Sequence, residues 1–145
     1  MIRHAGLAAR YDGGSWRGVL IEGASGSGKS DLALRLLAAG FRLVADDRTV
    51  VFASGGQVFG CAPPPLKGRL EIRGLGIVAT SARDFARIVL IARGLPPGAA
   101  PDRFPDPGYE SLMGVRLPVV EVALLETSAP NKLIAAMEQL GAREQ

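Results

Sequence analysis

The sequence holds a single cysteine, Cys61, and a single histidine, His4. One thiol excludes an internal disulfide, and one of each excludes a structural zinc site built from Cys and His. A reducing cytoplasm is the expected setting. Aromatic residues are few: one Trp, two Tyr and five Phe, too few for a platform on which single-stranded nucleic acid stacks. Basic residues outnumber acidic ones by only 17 to 14 and are scattered, so there is no charged stripe of the kind that grips DNA or RNA. No run reaches the roughly eighteen consecutive apolar residues that suggest a membrane span. MIRHAGLAAR at the N-terminus lacks the apolar centre of a signal peptide. These absences leave a cytoplasmic protein with neither nucleic acid nor membrane as partner. At 145 residues, 48% hydrophobic and 21% charged, the chain has the size and composition of one globular domain, residues 1–145.

Two β runs, LAARY (7–11) and RGVLIEG (17–23), flank Asp-Gly-Gly, which is hairpin chemistry. From Ser30 to Ala39, Leu32, Leu36 and Ala39 share one face, with Ala33 and Leu37 beside them and Gly40 as a stop, which predicts an amphipathic helix. FRLVADD (41–47) reads as a short apolar strand ending in two carboxylates. TVVFA (49–53) and QVFGCA (57–62) read as a second hairpin turning at Ser54-Gly55-Gly56. Residues 62–78 hold three prolines and three glycines, too broken for one regular element. RIVLIAR (87–93) is a strand, residues 94–110 a Pro/Gly-rich loop, and LPVVEVALLE (117–126) the last strand. NKLIAAMEQLGA closes the chain as a helix. The strand–loop–helix–strand order near the start predicts an α/β fold, a mixed sheet with β-hairpins and flanking helices.

GASGSGKS (23–30) fits G-x-x-x-x-G-K-[ST], and its surroundings agree with the motif: a β run before it and a helix after it. Glycines in such a loop let backbone N–H groups turn toward phosphate oxygens, and the helix N-terminus adds its positive dipole end. Gly23, Ala24, Ser25, Gly26, Ser27, Gly28, Lys29 and Ser30 are therefore the candidate nucleotide-binding residues. Lys29 is placed to reach the β- and γ-phosphates and Ser30 to hold Mg²⁺. The acids of RLVADDR (42–48) stand where a Walker B acid belongs. Two acids in succession, Asp46 and Asp47, can divide labour, one toward the metal, for which Asp46 is a candidate ligand, and one toward a nucleophile's proton. Neighbouring strand residues point to opposite faces, so both serve one site only where the chain bends. The alternative is that one of them caps the following turn.

These two motifs, followed by LEIRGLGI (70–77), resemble the HPr kinase/phosphorylase family, whose P-loop core is similar to that of PEP carboxykinase. The three ordered motifs span about two-thirds of the chain. The resemblance implies an ATP- and Mg²⁺-dependent kinase that phosphorylates a serine of the phosphocarrier protein HPr, with phosphorolysis as the reverse reaction, and a homo-oligomer, a hexamer in the family. It implies Asp47 as general acid/base, Lys29 as catalytic, Glu71 as a second magnesium ligand beside Ser30, His4 as the active-site histidine, and Arg103 as the arginine of an Asp-Arg pair in a mobile loop. It also implies the short form, without the N-terminal domain, found in some bacteria, notably alphaproteobacteria. The family's PVRPGRN-like segment, tied to dephosphorylation, is represented here by ETSAPNK (126–132), which has no arginine.

Other readings of the same residues stay open at this stage. Glu71 also reads as a solvated acid on a strand edge, or as an ion-pair partner of Arg69 or Arg73, and His4 and Arg103 read as surface residues. Arg116 is a weaker candidate for Arg103's duty. Cys61 reads as a small core residue, and Trp16 as a packing anchor or a subunit contact. A small-metabolite kinase or a non-catalytic nucleotide sensor would use the same loop, although such kinases usually carry several lid arginines.

Overall fold

The computed structural model describes residues 1–141. In chain order the elements are β1 (Ile2–Arg3), β2 (Ala5–Asp12), β3 (Ser15–Glu22), α1 (Lys29–Ala38), β4 (Arg42–Ala45), β5 (Thr49–Ser54), β6 (Gln57–Cys61), a 3₁₀ turn (Pro64–Leu66), β7 (Arg69–Ile72), β8 (Gly76–Ala79), β9 (Ala86–Gly94), β10 (Gly108–Leu112), β11 (Val115–Val122) and α2 (Ala129–Gln139). Nine strands form one mixed sheet, and β7–β8 stand apart as a two-stranded ribbon.

The centre of the sheet is β9. One edge lies parallel to β3, from Arg17↔Arg87 to Glu22↔Arg93. The other edge is shared: β6 pairs antiparallel with its start and β11 pairs parallel with its end, from Val119↔Ile91 to Val122↔Gly94. Beyond β3 come β2 and then β4, each antiparallel to its neighbour, so β3 and β4 run in the same direction with β2 between them. The carboxyl ends of β3, β4, β9 and β11 therefore share one end of the sheet, where α/β folds place ligands.

Alternation along the strands divides the apolar residues between two faces. Val19, Ile21 and Ala8 pack with Leu32, Leu36, Leu133 and Met137 of the helices. Leu20, Leu7 and Ala9 pack on the other face with Val51, Val58 and Leu117. Opposite Gly18 and Val19 the register jumps from Ile88 to Leu90. Val89 is thus a β-bulge, and Val89 and Leu90 both join the helix-side core. Leu36 is fully buried there. Leu36→Ala is expected to cost about 2–5 kcal/mol, the usual penalty for a deleted buried side chain plus its cavity. A urea titration showing a lower midpoint at unchanged slope would register it.

Three hairpins turn through two residues at positive φ. They are Gly13-Gly14, Gly55-Gly56 and Met113-Gly114, the last at 49° and 80°. Most expected elements lie within a few residues of their sequence assignments, with four differences. The ribbon β7–β8 occupies the stretch too broken for one regular element, and Glu71 lies on its first strand. The loop after β9 ends at residue 107 because β10 follows it. The strand expected at 117–126 is β11, ending at Val122, and residues 123–128 form a turn. The last helix begins at Ala129, with Pro130 in its first turn, where the missing N–H costs nothing; the end of its expected span, residue 142, lies outside the described residues.

Candidate active site

The Walker loop joins the end of β3 to the start of α1. Gly28 caps the helix at φ 107°, and Gly26 has φ 77°, conformations that glycine adopts without strain. Two of the loop's glycines are also held by contact. A Cβ on Gly23 would sit 2.6 Å from Ser27 Oγ, and one on Gly28 would sit 2.6 Å from Leu125 Cδ2. By contrast, nothing lies within 4 Å of a Cβ on Gly26, so the loop packs on one side and opens on the other. Leu124 and Leu125 belong to the turn after β11. That turn is tied to α1 by Arg35, which donates to the Glu126 carbonyl at 2.9 Å and to that of Leu124, and pairs with Asp31 at 2.9 Å.

The lysine is 7% exposed, and its Nζ donates to the carbonyls of Gly23 at 2.8 Å and Ala24 at 3.1 Å. The same ammonium stands 3.8 Å from Asp47 Oδ1. Ser30 Oγ donates to Asp46 Oδ1 at 2.7 Å, and Asp46 Oδ2 accepts the backbone N–H of Glu71 at 3.0 Å. The bend that brings both acids to one place is visible in the backbone: Asp47 has φ 63°, a left-handed position that Asp tolerates better than most residues. The strand ends at Ala45 and the chain turns over Asp46 and Asp47, Arg48 N–H bonding the Asp46 carbonyl at 2.7 Å. Asp46 thus faces Ser30 and Asp47 faces Lys29.

Of the remaining candidates, Glu71 reaches this cluster through its main chain, its side chain remaining exposed. His4 is exposed, one residue past the Arg3↔Thr49 pair, which puts it alongside the 46–48 turn. Arg103 is exposed in the loop between β9 and β10, and no hydrogen bond or ion pair among the described residues joins it to Lys29, Ser30, Asp46 or Asp47. That loop leaves the sheet at Gly94, where a Cβ would lie 3.1 Å from the Glu22 carbonyl, so it starts beside the Walker loop. Arg116 lies over the Tyr109 ring at 3.9 Å and is engaged there. Trp16 is capped by the Arg83 guanidinium at 4.6 Å and met edge-on by Tyr11. Cys61, half-buried at the end of β6, is at the margin of the core rather than inside it.

The donor set fits a nucleotide with a hard divalent cation. Ser27 Oγ is buried without a partner, a polar group at the loop left for a ligand to satisfy. The Ser30 hydroxyl and the Asp46 carboxylate are oxygen donors. Mg²⁺ in nucleotide sites takes one or two protein oxygens and completes its shell with phosphate and water. Among the described residues no three His, Cys, Asp or Glu side chains converge, so these residues do not build an all-protein metal cage.

Sequence reasoning passed over four charged residues at this end of the sheet. Arg3, Glu22, Arg93 and Glu110 form ion pairs from four different strands. They lie up to 107 positions apart, so no local pattern marks them. Glu110 illustrates the electrostatics. Burial pushes its carboxyl upward, but hydrogen bonds from Arg3 and Arg93 outweigh burial and hold it below its ordinary value of 4.5. Its ionised form therefore contributes stability that is complete above pH 4.5. As pH falls, the unfolded chain protonates first, and the contribution is lost as pH passes down through the folded value. Glu110→Gln is expected to flatten this part of the acid limb in a plot of unfolding free energy against pH.

The fold and loop define a mixed α/β domain with a Walker A loop at the carboxyl end of its sheet. Residues 15–86 match the family model described as HPr Serine kinase C-terminal domain. The HPr kinase/phosphorylase of Limosilactobacillus reuteri (strain DSM 20016) is 40% identical over 116 residues, covering 72% of this chain and 36% of that protein. That of Lacticaseibacillus casei (strain BL23) is 56% identical over 62 residues, covering 42% of this chain and 19% of that protein. The solved structure of the Hpr(Ser) kinase/phosphatase from Coxiella burnetii shares the fold at a TM-score of 0.80, with 23% identity, across 96% of this chain and 95% of that one. The chain belongs to the HPr kinase/phosphorylase family, and spans about a third of the length of the first of these curated relatives. Among the described residues no helix is long and apolar enough to cross a membrane.

Proposed function

We propose that residues 1–145 act as one kinase domain that transfers the γ-phosphoryl group of ATP to a serine hydroxyl of HPr. The observation that supports this reading is the pairing of the Walker loop with two successive acids, Ser30 with Asp46 at 2.7 Å and Lys29 with Asp47 at 3.8 Å. The bound nucleotide supplies the phosphoryl group, and Mg²⁺ offsets its charge. Backbone N–H groups from Gly23 to Ser30, with Ser27 Oγ, would hold the phosphates. Ser30 and Asp46 would hold the cation, with Glu71 as the further ligand that the family resemblance implies. Lys29 keeps a positive charge at the loop's inner face. Asp47, half out in solvent beside that lysine, accepts the serine proton at a carboxylate oxygen as the bond from the serine oxygen to the γ-phosphorus forms and the bond from that phosphorus to the bridging oxygen breaks, ADP leaving with the bridging oxygen; this is the role of a general base. Arg103 supplies charge from the loop above, and His4 stands by the Asp46–Arg48 turn as a further polar group.

The forward direction is favoured over phosphorolysis. The segment that replaces the family's arginine-rich stretch spends its charges internally: Glu126 pairs with Lys132 and accepts from Ser128 at 2.7 Å. Assembly into a homo-oligomer, and action in the cytoplasm, belong to the same reading. Incubation with ATP, Mg²⁺ and HPr is expected to add one phosphate to HPr, read by intact mass and localised to a serine. HPr unmodified while the protein binds ATP would overturn the reading in favour of a nucleotide sensor.

A further inference from the structure

The four charges at the carboxyl end of the sheet form a closed ring. Arg3 Nη1 donates to Glu110 Oε2 at 3.0 Å and Arg3 Nη2 to Glu22. Arg93 Nη2 donates to Glu22 Oε1 at 3.1 Å and to Glu110 Oε1 at 2.6 Å. Each arginine thus holds both acids, and each acid holds both arginines. Isolated exposed ion pairs contribute little, because two long side chains must be fixed for one contact. Here each fixed side chain serves two contacts, and Glu22 is only 14% exposed.

The positions matter more than the energy. Glu22 immediately precedes Gly23, the first residue of the Walker loop, and Arg3 immediately precedes His4. Arg93 and Glu110 stand at the two stems of the loop 95–107 that carries Arg103. The strand partner of β10 is β11, and the ring joins β10 directly to β1 and β9, and through their two arginines to Glu22 of β3. The two stems are therefore bolted to each other and to the strand that feeds the phosphate loop, while the tip, with Arg103, stays exposed.

We propose that Arg3, Glu22, Arg93 and Glu110 are positioning residues: the ring fixes the stems of loop 95–107 against the Walker strand, so that Arg103 approaches the transferring phosphoryl group from one defined hinge. This rests on the kinase reading for its effect on rate, but its structural part stands alone. A loop held at both stems resists the local opening that a protease needs, and cleavage follows the population of the opened form.

The experiment uses the full chain and compares wild type, Glu110→Gln, Arg103→Ala and the double variant. Without nucleotide, trypsin is expected to cut after Arg103 about ten times faster in Glu110→Gln, with cutting after Arg73, on the separate ribbon, unchanged. A general loss of stability would speed both sites alike, and that result would overturn the proposal. In the transfer assay, Glu110→Gln is expected to lower kcat about ten-fold at unchanged nucleotide KM, as a misplaced charged group does. In the Arg103→Ala background the same substitution should lower kcat no further; an equal loss there would show that the ring does not act through Arg103. If wild type transfers no phosphate to HPr, the kinase reading fails, and the trypsin comparison still decides whether the ring holds the loop.

Discussion

Asp47→Asn is expected to lower phosphoryl transfer to HPr by about a thousand-fold, within the range a positioned general base contributes, while leaving ATP affinity within about three-fold, since Asp47 lies outside the phosphate loop. The substitution is a clean one for a structural reason. Residue 47 sits at φ 63°, where Asn is accommodated as readily as Asp, so backbone and side-chain volume are both kept. Alanine would add backbone strain and confuse the result. The variant also loses the ion pair with Lys29, but that pair is 3.8 Å long and its acid is 61% exposed, so little folding stability goes with it. Single-turnover transfer followed by mass spectrometry measures the rate, and titration with ATP measures the affinity. A variant that kept a tenth or more of the wild-type rate would remove Asp47 from the proton's path.

The second large effect is expected on binding. Gly28→Ala should weaken ATP by about a hundred-fold, equivalent to about 2.7 kcal/mol, with a much smaller change in thermal midpoint. Two causes are separable. The new methyl would lie 2.6 Å from Leu125 Cδ2 and 2.9 Å from its Cγ, a clash that an exposed leucine relieves by turning away. The backbone angle of 107° offers no such relief, because it lies outside the regions open to residues with a Cβ. The double variant Gly28→Ala with Leu125→Ala is therefore expected to remain weak. Full recovery of affinity in it would assign the effect to the side-chain contact and not to the shape of the loop. Calorimetric titration with ATP and Mg²⁺ distinguishes the two.

What the sequence disclosed and what it concealed follow from the range of the interactions involved. The Walker loop, α1 and the glycine-turned hairpins are local features, and each carries its own signal: periodicity, a stop glycine, a pair of glycines between β runs. The β10–β11 hairpin was hidden because its turn is Met113-Gly114, and methionine at φ 49° is not a residue that announces such a turn. The ribbon at 69–79 was hidden by its own glycines, Gly74 and Gly76, both at positive φ, which read as disruption and serve as the bend. At the site, the need for a bend after Ala45 was legible from the two adjacent acids. That the bend would pair Asp46 with Ser30 and Asp47 with Lys29 required the register of β4 against β2. The four-charge ring had no signature, since ion pairs between separate strands leave no spacing to read.

Arg35 gives the phosphate loop a dependence on biosynthesis. Its guanidinium grips carbonyls 89 and 91 positions further along the chain, and the leucines carried by that turn press on Gly23 and Gly28. A nascent chain that has left the ribosome only as far as β9 already contains the whole Walker motif, yet lacks the brace behind it. Nucleotide capture should thus arise late, when the final strand docks, and a fragment stopping short of Leu124 would carry the signature without the grip.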